Sequence, residues 1–241
     1  MKPESVSIIV PAYNEEARVR NCLDDILLYF SASSIDYEVL VVSDGSIDRT
    51  AEVVTAYSAK YNQIKLLEYS PNHGKGYAVK YGMLRASKQL SIFADADGST
   101  PFAEFTRLLN EIEAGNDIAI GSRAMPSEHT RIKAKFHRRV IGRIFNFFLS
   151  RLLLPGIHDS QCGFKLFKSE CAKHLFSMQK SEGFSFDYEI LFLARKLGYS
   201  IKEVAVNWKN VDGSKVNLIA DSLHMFIDIF RIRFWYLSII K

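Results

Sequence analysis

The 241-residue sequence is short of the residues that mark several large classes of protein. It has three cysteines, Cys22, Cys162 and Cys171, and no C-x-x-C pair. An odd count without that spacing argues against a disulfide frame or a cysteine zinc site and points to a reducing compartment. No run of about 18 uncharged apolar residues occurs, so no transmembrane span is expected. The first apolar stretch, Val6 to Val10, is short and enters PAYNEE directly, so no signal peptide is expected. G-x-G-x-x-G is missing after that stretch, which excludes the dinucleotide-binding fingerprint. NHGKGYA (72–78) lacks the G-x-x-x-x-G-K-[ST] spacing of a phosphate loop. There is no internal repeat and no low-complexity linker.

The last shortage is local. Between His129 and His158 there is no Asp or Glu, but there are seven Lys or Arg in a chain of net charge +4. The remainder therefore carries 4 − 7 = −3. A basic segment on a mildly acidic body points to a local anionic partner.

What is present is a core and a rhythm. Hydrophobic residues are 48% and charged residues 24% of the chain, enough to bury a sizeable core. The first half alternates strand and helix patterns. Strands are expected at SIIV (7–10), YEVLVVS (37–43), IKLLEY (64–69), LSIFA (90–94) and DIAIGS (117–122). Helices are expected over Glu15–Phe30, from Asp48 as cap through Tyr57, through Leu84, and from Pro101 to near Gly115. Short apolar strands alternating with helices imply an α/β fold with a mainly parallel sheet covered on both faces. Ligands in such sheets bind beyond the carboxyl ends of the strands. PAYNE, SDGS, DADGS and GSR all lie there and should converge on one crevice.

The second half reads differently. Ile132 to Leu154 is basic early and apolar late, with Phe136, Val140, Ile144, Phe148 and Leu152 on one helical stripe. QCGFKLF (161–167) and IKEVAVNW (201–208) read as strands, and Asp187–Leu197 and Leu218–Ile240 as helices. The expected organisation is one domain over 1–217 and an amphipathic helical appendage over 218–241. Within the domain, His129–Leu154 is read as an interfacial segment, with cations toward headgroups and Phe and Leu in the acyl boundary. A nucleic-acid patch would leave RIFNFFLSRLLL without purpose. Asp228, Arg231 and Arg233 exclude a span in the C-terminal stretch.

SIFADADGST carries the chemistry. Asp95 and Asp97 follow a fully apolar strand, one residue apart. Alone, such a pair is more often a turn that caps the next helix. Combined with matching polar turns at other strand ends, it suits a hard divalent cation such as Mg²⁺ or Mn²⁺ that also binds a diphosphate.

SIIVPAYNEE, VVSDGSIDRT, NHGKGYAVKYGM, FADADGST, IAIGSRA, HDSQCGFKLF, FSFDYEILFLA and VAVNWKNVDGSK occur in that order. Together they resemble the family 2 glycosyltransferases of GT-A fold, most nearly those that load sugars onto polyprenyl phosphates. The resemblance implies a Rossmann-like sheet with amphipathic interfacial helices and an inverting, metal-dependent transfer. The sugar would pass, glucose from UDP-glucose first among UDP-hexoses, to a polyprenyl or dolichyl monophosphate. It implies Pro11, Tyr13, Glu15, Lys75 and Ala96 on the nucleotide sugar, and Asp44 on the base. Asp95 and Asp97 would hold Mg²⁺ or Mn²⁺, and Asp95 would also border the donor. Arg123 and Lys215 would work at the reacting phosphates, with Asp159 as base or orienter. Arg123, Arg138 and Arg139 would grip the acceptor phosphate. Ser43 stands where many relatives have an acid, and Ser99 where mannose-transferring relatives often have Gln; the second departure favours the glucosyl branch. The implied location is peripheral, on the cytoplasmic face of a membrane, with no nucleic-acid partner. Competing readings are a soluble glycosyltransferase acting on a protein or polar glycan, and a non-catalytic nucleotide-sugar or lipid binder. A processive synthase is disfavoured because Q-x-x-R-W is absent.

Overall fold

The structure is a computed structural model that describes residues 4–125, 132–133, 149, 151–211 and 220–237. Among these, seven strands form one sheet in the order β3-β2-β1-β4-β7-β5-β8. They are β1 (Ser5–Ala12), β2 (Asp36–Asp44), β3 (Ile64–Tyr69), β4 (Leu90–Ala94), β5 (Ile118–Ser122), β7 (Phe164–Lys168) and β8 (Ile201–Ala205). The pairs β1–β2, β2–β3, β1–β4 and β5–β8 are parallel. Only β7 runs against its neighbours β4 and β5. The sheet is thus mainly parallel, as the alternating pattern implies, with one antiparallel strand wedged into it.

Both faces are covered, which is why β1, β4 and β5 read as continuous apolar runs rather than alternating ones. One layer holds α1 (Val19–Ser31), α2 (Thr50–Ser58) and α4 (Phe105–Glu113). Helix α1 buries Val19, Leu23, Ile26 and Phe30, and α4 buries Phe105, Leu108, Leu109 and Ile112, each at helical spacing. The other layer holds α3 (Lys75–Met83), α5 (Ser169–Met178), α6 (Phe186–Lys196) and α7 (Ala220–Trp235).

Three expectations need correction. Helix α1 starts at Val19, not Glu15, because residues 14–16 are pinned to the loop after β2. Ile132 and Lys133 do not begin a helix; they form strand β6, paired in parallel with β9 (Trp208–Lys209). Leu149, Leu153 and Leu154 are buried in the protein core with α6 and α7, so this end of the basic segment packs inward rather than into lipid. The rest of His129–Leu154 lies outside the described residues. Helix α7 also joins the core, through Met225, Ile229, Ile232 and Tyr236. Tyr236 donates to Glu189 Oε1 at 2.5 Å, and Tyr188 donates to the Met225 carbonyl at 2.6 Å.

Candidate active site

Because β1, β2, β4 and β5 point the same way, their carboxyl ends deliver Pro11, Asp44, Asp95 and Arg123 to one edge of the sheet. The loops after β1 and β2 are stapled together there. Asn14 takes a left-handed conformation at φ 53° and donates its N–H to Ser46 Oγ at 3.1 Å. Its Oδ1 accepts from Ile47 N at 2.9 Å, Glu15 N donates to Thr50 Oγ1 at 2.8 Å, and Glu16 N donates to Asp48 Oδ2 at 3.1 Å. Asp48 Oδ1 also accepts from Thr50 N at 2.9 Å, so the expected cap sits one residue ahead of the N-cap position, Arg49, while its Oδ2 ties down the first loop. Pro11 is buried in β1, whereas Tyr13 stands 37% exposed beside it, an aromatic face open to a ligand. The Glu15 carboxylate is gripped by Arg18 at 2.6 and 2.5 Å.

Asp44, the residue expected on the base, is bound by the loop that leads into α3. It is 3% exposed. Its Oδ1 accepts from His73 N at 2.8 Å, and its Oδ2 from Gly74 N at 2.9 Å and Asn72 Nδ2 at 2.8 Å. A buried carboxylate that accepts three such bonds builds the NHGKG loop. That loop in turn starts α3 at Lys75.

Lys75 Nζ lies 2.6 Å from Asp95 Oδ1. Burial alone would lower the lysine pKa, but Asp95, then Asp187 and Asp97, outweigh it and hold the ammonium above its usual range. Asp95 Oδ1 is nonetheless buried without a well-directed hydrogen bond. Asp97 Oδ1 accepts from Ser99 N at 2.9 Å, so this residue does shape the turn. Ala96 between them is buried. Hard oxygens one residue apart, one lacking a directed partner, fit a divalent cation that keeps waters and takes oxygens from a diphosphate. Among the described residues no group of three or more His, Cys, Asp or Glu is placed to hold a metal.

The floor under Asp95 comes from β7. The pairing of Ala94 with Phe164 continues as Asp95 N donating to Gly163 O at 3.0 Å. A side-chain carbon on Gly163 would overlap the Asp95 carboxylate. Behind it, Lys165 is 1% exposed, donates to Cys162 O at 2.8 Å and forms an ion pair with Asp187. Burial raises the Asp187 pKa, against the pull of Lys165 and Lys75. Asp95, Lys75, Asp187 and Lys165 thus alternate in sign through the base of the crevice.

Arg123 and Asp159 form a fork. Arg123 Nε donates to Asp159 Oδ2 at 2.7 Å, Nη2 to Oδ1 at 2.8 Å, and the Arg123 backbone N to Oδ2 at 2.9 Å. Asp159 is 2% exposed; burial would raise its pKa, yet Arg123 holds it below the usual carboxylate range. The Arg123 guanidinium also lies over Trp208 at 5.5 Å from the ring centroid. Both Asp159 oxygens are engaged, by Arg123 and by the Gln161 backbone N–H. Lys215, Arg138 and Arg139 lie outside the described residues. Gly163, Lys165, Asp187 and Trp208 are additions that motif reading passed over. A lysine in the apolar strand FKLF and an aspartate in FSFDYE were the available signals, since a buried charge needs a partner.

The fold and this crevice define a glycosyltransferase of GT-A type. The structure resembles glucosyl-3-phosphoglycerate synthase from Mycobacterium tuberculosis in complex with UDP, at TM-score 0.72 and 17% identity, over 95% of this chain and 80% of that one. It also resembles that enzyme in complex with Mn²⁺, UDP-glucose and phosphoglyceric acid, at TM-score 0.72, 17% identity and coverage of 95% and 79%. Residues 7–176 match the family model for glycosyl transferase family 2, and the chain belongs to that family. Among curated relatives, the dolichyl-phosphate β-glucosyltransferase of Dictyostelium discoideum is 42% identical over 96% of this chain and 75% of its own length. The human protein of the same name is 35% identical over 98% and 76%.

Proposed function

We propose that this chain transfers glucose from UDP-glucose to dolichyl phosphate or a related polyprenyl phosphate, with inversion, at the cytoplasmic surface of a membrane. The observation that carries this reading is the likeness to dolichyl-phosphate β-glucosyltransferases over 96–98% of this chain, seated on a crevice with the charges such a transfer needs. Tyr13 and Pro11 would border the uracil, in a wall held by Asp44 and the stapled loops. Asp95 and Asp97 would hold Mg²⁺ or Mn²⁺; when bound, the ion supplies charge neutralisation for the diphosphate. Lys75, beside Asp95 at the base of the crevice, would offer its ammonium to the diphosphate, and Lys215, outside the described residues, would assist.

Arg123, fixed by Asp159, would present its remaining edge to the acceptor phosphate, with Arg138 or Arg139 as second grip. A phosphate monoester is largely dianionic at neutral pH, since its second pKa is about 6. Its oxygen attacks the anomeric carbon, the new carbon–oxygen bond forms as the bond to UDP breaks, and UDP departs with the electron pair. No proton needs to move, which is consistent with an Asp159 committed to Arg123. No described helix is long and apolar enough to cross a membrane, so contact through a surface is compatible.

The test is incubation with a panel of nucleotide sugars and dolichyl phosphate, followed by mass analysis of the lipid. A hexose adduct from UDP-glucose above all other donors is expected. Transfer only to a protein or soluble glycan would overturn the acceptor assignment.

A further inference from the structure

A second cationic site lies away from the crevice. A cavity of about 450 Å³ opens between residues 151–155, the last turn of α6 and the outer end of α7. Arg151, Arg195, Lys196 and Arg233 line it over an apolar floor that includes Leu152 and Phe192, and among the described residues no acidic side chain lines it. Asp187, at the crevice, and Lys196, at this cavity, sit at opposite ends of α6, about 13 Å apart along the helix axis. The two sites are therefore distinct.

Two of the cations are held in place. Arg195 Nη2 donates to the Pro155 carbonyl at 2.5 Å, and Arg233 Nη1 donates to the Leu152 carbonyl at 3.0 Å. Arg195 and Lys196 alone would be ordinary, because cations complement the carboxyl end of a helix. That reason does not extend to Arg151 or Arg233, which arrive from other segments. Four like charges converging on one cavity repel one another unless an anion sits among them.

The cavity adjoins an apolar stripe. On α7 and the turn after it, Ile227, Phe230, Phe234 and Leu237 recur at three- and four-residue spacing on the outer face, with Phe234 74% exposed. Arg233 borders that stripe on the cavity side and Arg231 on the other. Exposed aromatic and aliphatic side chains beside a pocket of cations match the two chemistries of an anionic bilayer surface, headgroup phosphate and acyl boundary.

We propose that this cavity seats the phosphate headgroup of an anionic membrane phospholipid, while the Ile227–Leu237 stripe enters the acyl boundary. This rests on the membrane-surface part of the reading above and gives it an anchor remote from the acceptor. It holds the chain on the bilayer independently of the acceptor phosphate.

The test is co-sedimentation of the full chain with vesicles of phosphatidylcholine alone and of phosphatidylcholine with phosphatidylserine. The unmodified chain should favour the anionic vesicles. The double variant Arg195→Gln/Lys196→Gln should lose about 25-fold in that binding, about fivefold per charge. Phe234→Ser should weaken binding in a way that added salt does not change. Both variants should keep the parent turnover on a short water-soluble prenyl phosphate and the parent melting temperature. Equal binding of parent and double variant to anionic vesicles overturns the headgroup site. So does equal binding of the parent to both kinds of vesicle, which would leave the cavity to a soluble anion. Failure of the parent to modify any polyprenyl phosphate would instead strike the proposed reaction, and these binding outcomes do not depend on it.

Discussion

Replacing Gly163 by Ala tests whether β7 positions the metal carboxylate. The added carbon would fall more than an ångström inside ordinary carbon contact with the Asp95 carboxylate. Gly163 is fixed by its backbone bond to Asp95 and by the β4–β7 ladder, so the carboxylate has to move rather than the glycine. Overpacking of this kind costs about 1–3 kcal/mol, which for a chain of this size lowers the melting temperature by roughly 2–12 °C. A displacement of about 1 Å at a reacting centre can cost about 10²-fold in rate. Gly163→Ala should therefore stay folded, lose about 10²-fold in kcat/KM for glucosyl-lipid formation, and bind Mn²⁺ with UDP more weakly by calorimetry. Gly183→Ala is the control, because a side-chain carbon there meets nothing within 4 Å. If Gly163→Ala matches the parent in both activity and Mn²⁺–UDP affinity, the Asp95 carboxylate has no fixed position to defend and the argument fails.

Asp95→Asn and Asp97→Asn should each lower transfer by at least about 10²-fold without unfolding the chain, measured by product formation and circular dichroism. Asp44→Ala leaves the His73 and Gly74 amides and the Asn72 side chain without their acceptor; donor KM should rise tenfold or more while kcat changes little. Asp159→Asn should raise the acceptor KM and leave the shape of the kcat–pH profile unaltered; loss of an acidic limb would make Asp159 a base. Glu38 is buried, and although burial acts to raise its pKa, bonds from Ser7, Ser87 and Lys65 lower it to about 2. With a depressed native pKa, its contribution, on the order of 3 kcal/mol, is present above the unfolded value near 4.5 and lost as pH falls toward 2. Glu38→Gln should flatten the acid limb of stability in urea melts between pH 5 and about 2.

Much of the parallel sheet was legible because two-sided burial leaves little choice of residue. LSIFA, buried throughout, coincides with β4 to the residue; IKLLEY coincides with β3 as well, although on that edge strand only Ile64 is buried. The crevice was legible for the same reason, since polar turns directly after buried strands have to collect at one edge. What sequence could not supply was partnership across long separations. Nothing near Asp44 announces that its carboxylate is taken by residues 72–74, and nothing near Asp159 announces Arg123. The basic segment misled because its apolar residues suit lipid and protein core equally well. Leu153 and Leu154 find the core, among α5, α6 and α7.

The wedged strand β7 has a mechanical consequence. Asp95 ends β4 and Arg123 follows β5, and β7 lies bonded between these two strands. Two inter-strand steps set the backbones of β4 and β5 about 9.5 Å apart. Strand β7 then acts as a gauge block: the backbones that lead into Asp95 and Arg123 belong to one stiff frame. The spacing of those two backbones is machined into the sheet.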